Sequence, residues 1–383
     1  MNGTLRIMVA GGGTGGHVYP GIAVVEALAG SARVESLFVG AQGGVEQGIF
    51  ERASLAHSLL PGYGLRRASL ARKLAVPVML AAGVMRASKL LRTFRPDVVL
   101  GTGGYASATV VIASVLARVP RVLQEQNSVP GLVNRRLAPY ASLVLLGYEE
   151  SRAWFRPQVP VRVVGNPIRR LPRAPREEAA AFFGLDASRP VVLVVGGSRG
   201  AHSLNMAGAD AAAKLARSRD VQFVILTGRA DRVEAEKRVG GSSRVRVLDY
   251  LDDVHFAYSL ADVAVARSGA SSVFELALFG VPAIFVPYPF AADDHQEKNA
   301  SPLVEAGGAL VIGDAELRGE TLANTVALLL DDPSRRAAMS KAMRAWSKPD
   351  AAQDAARAIL EVVKKKAGRN RPGETGSLKE TER

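Results

Sequence analysis

The stretch Ile7-Met-Val-Ala-Gly-Gly-Gly-Thr-Gly-Gly-His17 decides the fold of this chain of 383 residues. An apolar run leads into a glycine-rich turn, and the following residues, 22–28, are typical of a helix. The pattern returns as Val191-Val-Leu-Val-Val-Gly-Gly-Ser-Arg-Gly-Ala-His202. A strand, a glycine turn and a helix start, found twice, predict two Rossmann-like domains in tandem.

Short apolar segments alternate with helical ones along the whole chain, which predicts an α/β protein with doubly wound sheets. Strands this apolar are typical of parallel sheets that are covered on both faces. The strand candidates are residues 6–10, 35–40, 97–101, 121–124 and 142–146 in the first half, and residues 190–195, 221–227, 244–248, 263–266 and 282–287 in the second.

The length of the chain indicates two domains, because 383 residues are too many for one typical hydrophobic core. We predict an N-terminal domain over residues 1–166 and a C-terminal domain over residues 167–348, with a hinge near Gly165-Asn-Pro167. A helix at about residues 349–363 is expected to pack back on the first domain. The polar residues 364–383 are expected to form a disordered tail.

Composition also excludes several classes of site. The chain has no cysteine, so disulfides and cysteine-zinc sites are excluded, and its five histidines show no metal-binding spacing. The sequence shows no signal peptide and no apolar run near the roughly 20 residues that span a bilayer. We therefore expect a cytoplasmic protein without a metal ion of its own, held at a membrane only peripherally.

The positive charge is concentrated in the first half of the chain. Residues 1–166 carry 18 lysines and arginines against 8 acidic residues, whereas residues 167–349 carry 23 against 22. A basic N-terminal half indicates that the protein binds a polyanion or an anionic membrane surface.

One segment, residues 65–95, has eight basic residues and no acidic one. Leu70, Leu74 and Val78 recur there at helical spacing, so the segment resembles a basic amphipathic element that lies on an anionic bilayer. The alternative is a stripe that faces the core, with solvated cations opposite. Nucleic acid is not favoured, because Phe94 is the only aromatic residue of the segment that could stack on a base. The expected membrane contacts are Arg66, Arg67, Leu70, Arg72, Lys73, Leu74 and Val78.

The first glycine turn fits the dinucleotide-binding pattern through Gly11, Gly13 and Gly16. The second strand, however, ends at Gly40-Ala-Gln without the acidic residue that would hold a ribose, so a nicotinamide cofactor is not favoured. Two more glycine turns follow strands at residues 101–107 and 124–131. Three such turns at one sheet edge predict a phosphate or diphosphate cradle, rather than three glycines that only let helices pack closely.

His17 and Glu125 are the titratable residues on these turns. A helix N-terminus favours the neutral imidazole, which suits His17 to accept a proton. A histidine that only caps the turn is an equally open interpretation.

In the second half, residues 267–275 form a small-residue turn before a helix, which predicts a diphosphate site with Glu275 placed to hold a ribose. In the loop at residues 287–300, Gln296 and Asn299 are candidates to contact sugar hydroxyls. Asp293 and Asp294 are more typical of solvated acids than of metal ligands.

Taken in order, these motifs resemble the MurG-type N-acetylglucosaminyltransferases of peptidoglycan synthesis, in glycosyltransferase family 28 with the GT-B fold. The resemblance runs from about residue 5 to about residue 360. It is carried by Gly12-Gly-Thr-Gly-Gly-His-Val-Tyr-Pro-Gly21, Gly103-Gly-Tyr105, Glu125-Gln-Asn127, Gly165-Asn-Pro-Ile-Arg169, Gly196-Gly-Ser-Arg-Gly200, Arg267-Ser-Gly-Ala270 with Glu275, and His295-Gln-Glu-Lys-Asn-Ala300.

The resemblance implies transfer of N-acetylglucosamine from UDP-N-acetylglucosamine to the 4-hydroxyl of the muramyl residue of lipid I. The product would be lipid II, formed through a β-1,4 link on the cytoplasmic face of the bacterial inner membrane. Lipid I is undecaprenyl-diphospho-muramyl-pentapeptide. The resemblance also implies an anionic membrane surface, and proteins of cell-wall synthesis and division, as partners.

The resemblance implies site residues as well. The acceptor diphosphate would lie at Gly12, Gly13, Gly103, Gly104 and Tyr105. The donor would contact Thr14, Gly15, Gly16, Asn127, Arg169, Ser198, Leu251, Ala270, Ser271, Ser272, Val273, Phe274, Glu275 and Gln296. Ser272 stands where the family usually has threonine, and the position of His295 varies in the family.

The chemistry implied is an inverting single displacement without an essential metal ion, with His17 as the first candidate for the general base and Glu125 as the second. One alternative is another GT-B enzyme on UDP-sugars, either a glycolipid glycosyltransferase or a UDP-N-acetylglucosamine 2-epimerase. The other is a non-catalytic polyanion-binding protein, which would leave Glu275 and Gln296 without a role.

Overall fold

The computed structural model describes residues 3–61, 76–197 and 201–369, in two α/β domains built on parallel sheets. The first sheet has seven strands in the order β3-β2-β1-β4-β5-β6-β7. Its strands are β1 Leu5–Gly11, β2 Val34–Ala41, β3 His57–Leu60, β4 Val98–Gly103, β5 Arg121–Glu125, β6 Leu143–Leu146 and β7 Val161–Val163.

Both faces of this sheet are covered, which is why its strands are apolar without alternation. In β1, Ile7 and Val9 pack into one hydrophobic cluster, and Met8 and Ala10 into the cluster on the opposite face. The covering helices are α1 Gly15–Ala29, α2 Val45–Arg52, α3 Val76–Phe94, α4 Gly104–Leu116 and α5 Leu132–Leu137, with 3₁₀ turns at Ala138–Tyr140 and Glu150–Trp154.

The second sheet has six strands in the order β10-β9-β8-β11-β12-β13. They are β8 Val191–Val195, β9 Gln222–Leu226, β10 Val245–Leu248, β11 Val263–Ala266, β12 Ala283–Phe285 and β13 Ala309–Val311. The helices are α6 Arg176–Phe183, α7 His202–Ser218, α8 Arg232–Val239, α9 Val254–Leu260, α10 Ala270–Phe279, α11 His295–Glu305, α12 Gly319–Leu330 and α13 Pro333–Trp346, with a 3₁₀ turn at Ala292–Asp294.

The predicted class, two doubly wound domains with parallel sheets, is confirmed. In each sheet the strand order reverses beside the first strand of the domain, between β1 and β4 and between β8 and β11. Ligands of doubly wound proteins bind at the carboxyl ends of the strands at such a point. Both predicted glycine turns, after β1 and after β8, leave their sheets there.

A last helix, α14 Ala351–Arg369, returns to the first domain. Ala355, Ile359 and Val363 enter the hydrophobic cluster that α1 forms on the first sheet, and Arg162 of β7 pairs with Glu361 at 2.7 Å. The helix continues past residue 363, where the tail is expected to begin, and residues 370–383 lie outside the described residues.

The chain therefore passes between the domains twice, at residue 165 and again at residues 348–351. The two passages lie side by side. Gly165 has a φ of +89°, and a Cβ at this glycine would come within 2.6 Å of the Lys348 Cβ atom.

Candidate active site

A buried carboxylate that the sequence did not reveal lies under the first glycine turn. Glu46 belongs to the first turn of α2 and is 0% exposed. Its Oε2 accepts a hydrogen bond from the Gly13 N–H at 3.0 Å, and its Oε1 accepts one from the Ala41 N–H at 2.9 Å. Glu46 thereby joins the turn after β1 to the end of β2.

Three glycines make room for this carboxylate. A Cβ at Gly12 would lie 2.1 Å from Glu46 Oε1, one at Gly40 2.6 Å from Glu46 Cγ, and one at Gly44 2.4 Å from Glu46 Cδ. Gly13, in contrast, has a φ of +87° and no atom within 4 Å of its Cβ position. Within the first turn, a side chain at position 12 would collide with Glu46, whereas position 13 borders open space.

His17 is held between the first and second glycine turns. Its Nδ1 is 2.8 Å from the Gly12 carbonyl oxygen, which can only accept, so Nδ1 carries the proton and Nε2 of the neutral ring is a hydrogen-bond acceptor. A Cβ at Gly103 would lie 3.1 Å from Nε2, and one at Gly104 would lie 2.5 Å from the Gly12 carbonyl oxygen. The structure therefore brings these two turns together around one imidazole.

Tyr105, which follows the second turn, points its hydroxyl to α3. The hydroxyl donates a hydrogen bond to the Met79 carbonyl oxygen at 3.0 Å. Tyr105 thereby connects the second glycine turn to the helix that follows the basic segment.

Glu125 closes the third turn. It is 1% exposed and its carboxylate accepts four hydrogen bonds, from the backbone N–H groups of Asn127 (3.0 Å) and Gly131 (3.0 Å) and from the side-chain amides of Asn127 (3.3 Å) and Asn134 (2.8 Å). A carboxylate so fully occupied is suited to position the loop, and with it Asn127.

Asn299 joins the two domains. Its side chain is 0% exposed and donates to Asn127 Oδ1 and to the Ser268 carbonyl oxygen, each at 3.1 Å. Its Oδ1 accepts from the Ser128 N–H at 2.9 Å and from the Ser128 hydroxyl at 3.0 Å. All four bonding positions of the amide are occupied, so Asn299 ties the third turn to the turn at residues 267–269 (the donor-side turn) instead of contacting a sugar, which corrects the sequence-based interpretation.

Aromatic and charged groups of both domains also meet at a second contact between the domains. The Arg169 guanidinium lies 4.2 Å from the centre of the Tyr19 ring, and the Tyr19 hydroxyl is 3.4 Å from that of Tyr250. Burial, with a smaller effect from Tyr19, raises the pKa of Tyr250 to about 12. Leu251, one of the expected donor contacts, directly follows Tyr250.

The donor-side turn precedes α10, whose first turn has no side-chain cap. A Cβ at Gly16 in the other domain would lie 3.9 Å from the Ser271 hydroxyl oxygen, so the starts of α1 and α10 face each other. The first turn of α1 has no side-chain cap either. Two helix starts with available N–H groups are suited to bind an anion between them.

The predicted donor residues of α10 fall into two groups. Ser271 and Ser272 are half-buried, whereas the side chains of Val273 and Phe274 are buried in hydrophobic clusters. The Phe274 ring packs edge-on against Tyr148 of the first domain, with ring centres 5.1 Å apart. Val273 and Phe274 can therefore meet a nucleotide only through their backbone. Ser198 lies outside the described residues.

Glu275 and Gln296 complete this side of the cleft. Burial raises the pKa of Glu275, while a hydrogen bond from Tyr258 and the charge of Arg169 act to lower it. The Gln296 Oε1 atom accepts from the Tyr288 N–H at 2.9 Å, which orients its amide nitrogen.

Arg267 is a framework residue that the sequence motif contained without revealing its role. It is 7% exposed and pairs with Asp314 at 2.7 Å. It also donates to the carbonyl oxygens of Val286 and Pro287, each at 3.0 Å, and to the Ser203 hydroxyl at 2.8 Å. Arg267 thus joins the loops at the carboxyl edge of the second sheet.

The predicted loop at residues 287–300 ends at a 3₁₀ turn, Ala292–Asp294, and Gln296 and Asn299 lie on α11. Asp293 and Asp294 belong to the 3₁₀ turn and are not part of a metal-binding cluster in the described structure. Asp293 pairs with Arg135 of the first domain at 3.0 Å. Across the described ranges, no group of three or more histidine, aspartate or glutamate side chains could hold a metal ion.

Of the expected membrane contacts, only Val78 belongs to the described residues, and it is 74% exposed. Met85 on the same helix, α3, is 67% exposed. No helix in the described part of the chain has the length and apolar character needed to cross a bilayer.

Comparisons with known proteins agree with this arrangement. The model of the glycosyltransferase family 28 N-terminal domain matches residues 7–146, and that of the family 28 C-terminal domain matches residues 191–355. The chain is 38% identical over 369 residues to the UDP-N-acetylglucosamine--N-acetylmuramyl-(pentapeptide) pyrophosphoryl-undecaprenol N-acetylglucosamine transferase of Chlorobaculum tepidum, which covers 94% of this chain and 100% of that protein.

A protein of the same name from Desulforudis audaxviator is 36% identical over 95% of this chain and 99% of its own length. Among solved structures, MurG of Acinetobacter baumannii superposes with a TM-score of 0.73 at 25% identity, over 93% of this chain and 99% of that one. A putative UDP-N-acetylglucosamine 2-epimerase of Listeria monocytogenes has a TM-score of 0.68 at 18% identity, over 98% of this chain and 100% of its own, and shares the fold.

Proposed function

Because this chain belongs to glycosyltransferase family 28, we propose that it transfers N-acetylglucosamine from UDP-N-acetylglucosamine to lipid I and so forms lipid II. The proposal rests on the 38% identity to the Chlorobaculum tepidum transferase over 94% of this chain. The name of that transferase states both the sugar and the lipid-linked acceptor. A cleft built by both domains suits an enzyme that joins two substrates.

The reaction is an inverting displacement at the anomeric carbon of the donor sugar. The 4-hydroxyl oxygen of the muramyl residue forms a bond to that carbon, and the bond from the carbon to the UDP oxygen breaks. The hydroxyl proton passes to Nε2 of His17, the nitrogen that the Gly12 contact leaves without a proton. The saturated carboxylate of Glu125 favours His17 over Glu125 for this step.

The departing UDP gains negative charge, which the second domain is suited to stabilise. The uncapped N–H groups at the start of α10 and the guanidinium of Arg169 are the candidate partners of the diphosphate. Glu275 would hold the ribose and Gln296 the sugar. With these groups in place, the chemistry needs no essential divalent ion.

The acceptor diphosphate would lie on the first two glycine turns. Only glycine fits at Gly12, Gly103 and Gly104, because a Cβ atom would lie too close to Glu46, His17 and the Gly12 backbone, in that order. These three residues therefore offer the diphosphate only backbone groups. Gly13 borders open space, but its N–H donates to Glu46 Oε2, so the phosphate would be bound by other backbone N–H groups of these turns.

The direct test is transfer of labelled N-acetylglucosamine from UDP-N-acetylglucosamine to a lipid I analogue, with and without exhaustive chelation by EDTA. We expect a lipid II product in both cases, at rates within about twofold. Loss of turnover on chelation would contradict the metal-free mechanism. Conversion of UDP-N-acetylglucosamine to its 2-epimer without lipid I would instead support the epimerase alternative.

We further propose that the protein binds peripherally to the cytoplasmic face of the inner membrane. The excess of basic residues in the first half and the exposed apolar side chains of α3, Val78 and Met85, support this surface. Cell-wall synthesis and division proteins are candidate partners there.

Vesicle sedimentation measures this binding. We expect binding to vesicles that contain phosphatidylglycerol, and little to zwitterionic vesicles, in about 0.1 M salt. Each basic residue near such a surface contributes about 1 kcal/mol, so glutamine at Arg66, Arg67, Arg72 and Lys73 together should weaken binding by about a hundredfold or more. Glutamine at the exposed Arg217, Arg229, Arg335 and Lys341 of the second domain is the matched control. Equal losses for the two sets would count against the surface.

A further inference from the structure

One oxygen of the Glu275 carboxylate already accepts a hydrogen bond from within its own domain. The Tyr258 hydroxyl donates to Glu275 Oε2 at 2.7 Å. This contact fixes the carboxylate on one side, and Oε1 is the oxygen that the Tyr258 contact leaves fully available to the ribose hydroxyls.

The position of the Tyr258 hydroxyl is set by packing. Tyr258 lies on α9, is 4% exposed and packs its ring against Phe279 of α10, with ring centres 5.4 Å apart. Both rings belong to the hydrophobic cluster on one face of the second sheet. Because packing holds the Tyr258 ring in place, its hydroxyl cannot move with the Glu275 carboxylate. The hydrogen bond therefore fixes the orientation of the carboxylate.

We propose that Tyr258 is a positioning residue for the donor, which orients Glu275 so that one ionised oxygen faces the vicinal hydroxyls of a ribonucleoside diphosphate sugar. This inference rests on the proposed function, in which Glu275 holds the ribose. Tyr258 itself does not touch the substrate and acts through Glu275.

The electrostatics of the pair agree with this role. Burial and the adjacent Glu275 raise the pKa of Tyr258 well above its usual value, so the phenol keeps its proton and always donates. Burial raises the pKa of Glu275, and two groups counteract it, namely Tyr258 on α9 and Arg169 on the segment that enters the domain. Within the described residues, α11 and α13 add no charged group that shifts the pKa of Glu275.

The sign of the pH effect follows. The ionised carboxylate is the form that accepts from the ribose, so donor binding weakens as the pH falls through the pKa of Glu275. Tyr258→Phe removes a hydrogen bond that lowers this pKa, so the pKa rises. The acidic limb of kcat/KM for UDP-N-acetylglucosamine must then move to higher pH in the variant.

The experiment compares Tyr258→Phe with the wild type in the lipid I transfer assay. Phenylalanine keeps the ring packing and removes only the hydroxyl. We expect KM for UDP-N-acetylglucosamine to rise on the order of tenfold, with kcat within about twofold and with the acidic limb moved upward. Ser259→Ala is the matched control on α9, because its hydroxyl accepts from the Ala174 N–H and does not contact Glu275. This control should leave KM and the pH profile unchanged.

Two further measurements separate positioning from a general loss of stability. In a Glu275→Ala background, Tyr258→Phe should have no additional effect on UDP binding, because the carboxylate that Tyr258 positions is absent. The ratio of the dissociation constant of 2′-deoxy-UDP to that of UDP, measured by calorimetry, should be smaller in Tyr258→Phe than in the wild type. Partial unfolding would reduce the binding of both nucleotides equally and leave the ratio unchanged.

The outcomes distinguish this inference from the proposed function. If Glu275→Ala weakens UDP binding and Tyr258→Phe changes neither KM, the pH profile nor the nucleotide ratio, the positioning role of Tyr258 is wrong and the donor site stands. If Glu275→Ala binds UDP like the wild type, the ribose assignment of the proposed function is itself wrong.

Discussion

His17→Ala is expected to transfer N-acetylglucosamine to lipid I about 10²- to 10⁴-fold more slowly than the wild type, the scale of general base catalysis. The reason is the fixed tautomer, since the Gly12 carbonyl oxygen accepts from Nδ1 and leaves Nε2 as the acceptor. Donor binding should change little, because alanine removes only the imidazole. Single-turnover transfer and calorimetric UDP binding measure the two effects.

His57→Ala is the matched control for this variant. His57 also places its Nδ1 against a carbonyl oxygen, that of Leu55 at 2.9 Å, but lies on the edge strand β3. We expect near wild-type transfer from His57→Ala, and partial recovery of His17→Ala when imidazole is added. If His17→Ala transfers at nearly the wild-type rate, His17 is not the base and Glu125 becomes the residue to test.

Gly104→Ala is expected to lower the free energy of unfolding of the first domain by about 3–5 kcal/mol, through backbone strain and overpacking together. Gly104 has a φ of +83°, and a Cβ there would lie 2.5 Å from the Gly12 carbonyl oxygen. Backbone atoms cannot rotate away as a side chain can. The displaced Gly12 carbonyl is the group that orients His17, so transfer should fall as well. Urea denaturation followed by circular dichroism measures the stability change.

Gly13→Ala measures the cost of backbone strain without the overpacking. Gly13 has nearly the same φ, +87°, but no atom within 4 Å of its Cβ position. We expect a loss of only about 1–2 kcal/mol for this variant. Equal losses at the two glycines would show that the close approach of Gly104 to Gly12 contributes nothing.

The sequence was sufficient to predict the fold and most of the strands. The strands that it did not reveal are β3 His57–Leu60, β7 Val161–Val163 and β13 Ala309–Val311, and all three lie at sheet edges. They have three or four residues and are partly exposed, as the arginine in the middle of β7 illustrates. β3 and β7 lack the apolar run by which a central parallel strand is recognised, whereas β13 lies in the short apolar run Ala309-Leu-Val-Ile312, which the sequence interpretation did not assign.

The candidate site was predictable where it depends on local sequence, as in the glycine turns and the start of α10. Glu46 was not, because an acid in the first turn of a helix is usually solvated. Its burial depends in part on Gly12, which is 34 residues away in sequence and close only in the fold. The link through Asn299 depends on the contact between two domains, which no motif within either domain can indicate.

The return of α14 to the first domain affects how the protein is made. The first domain leaves the ribosome before α14 has been synthesised, so the hydrophobic cluster that α1 shares with Ala355 and Ile359 of α14 stays incomplete until then. Folding of the first domain is thus completed last, although its sequence begins the chain. A fragment that stops at residue 348 would keep the second domain whole and leave the first one with part of its core missing.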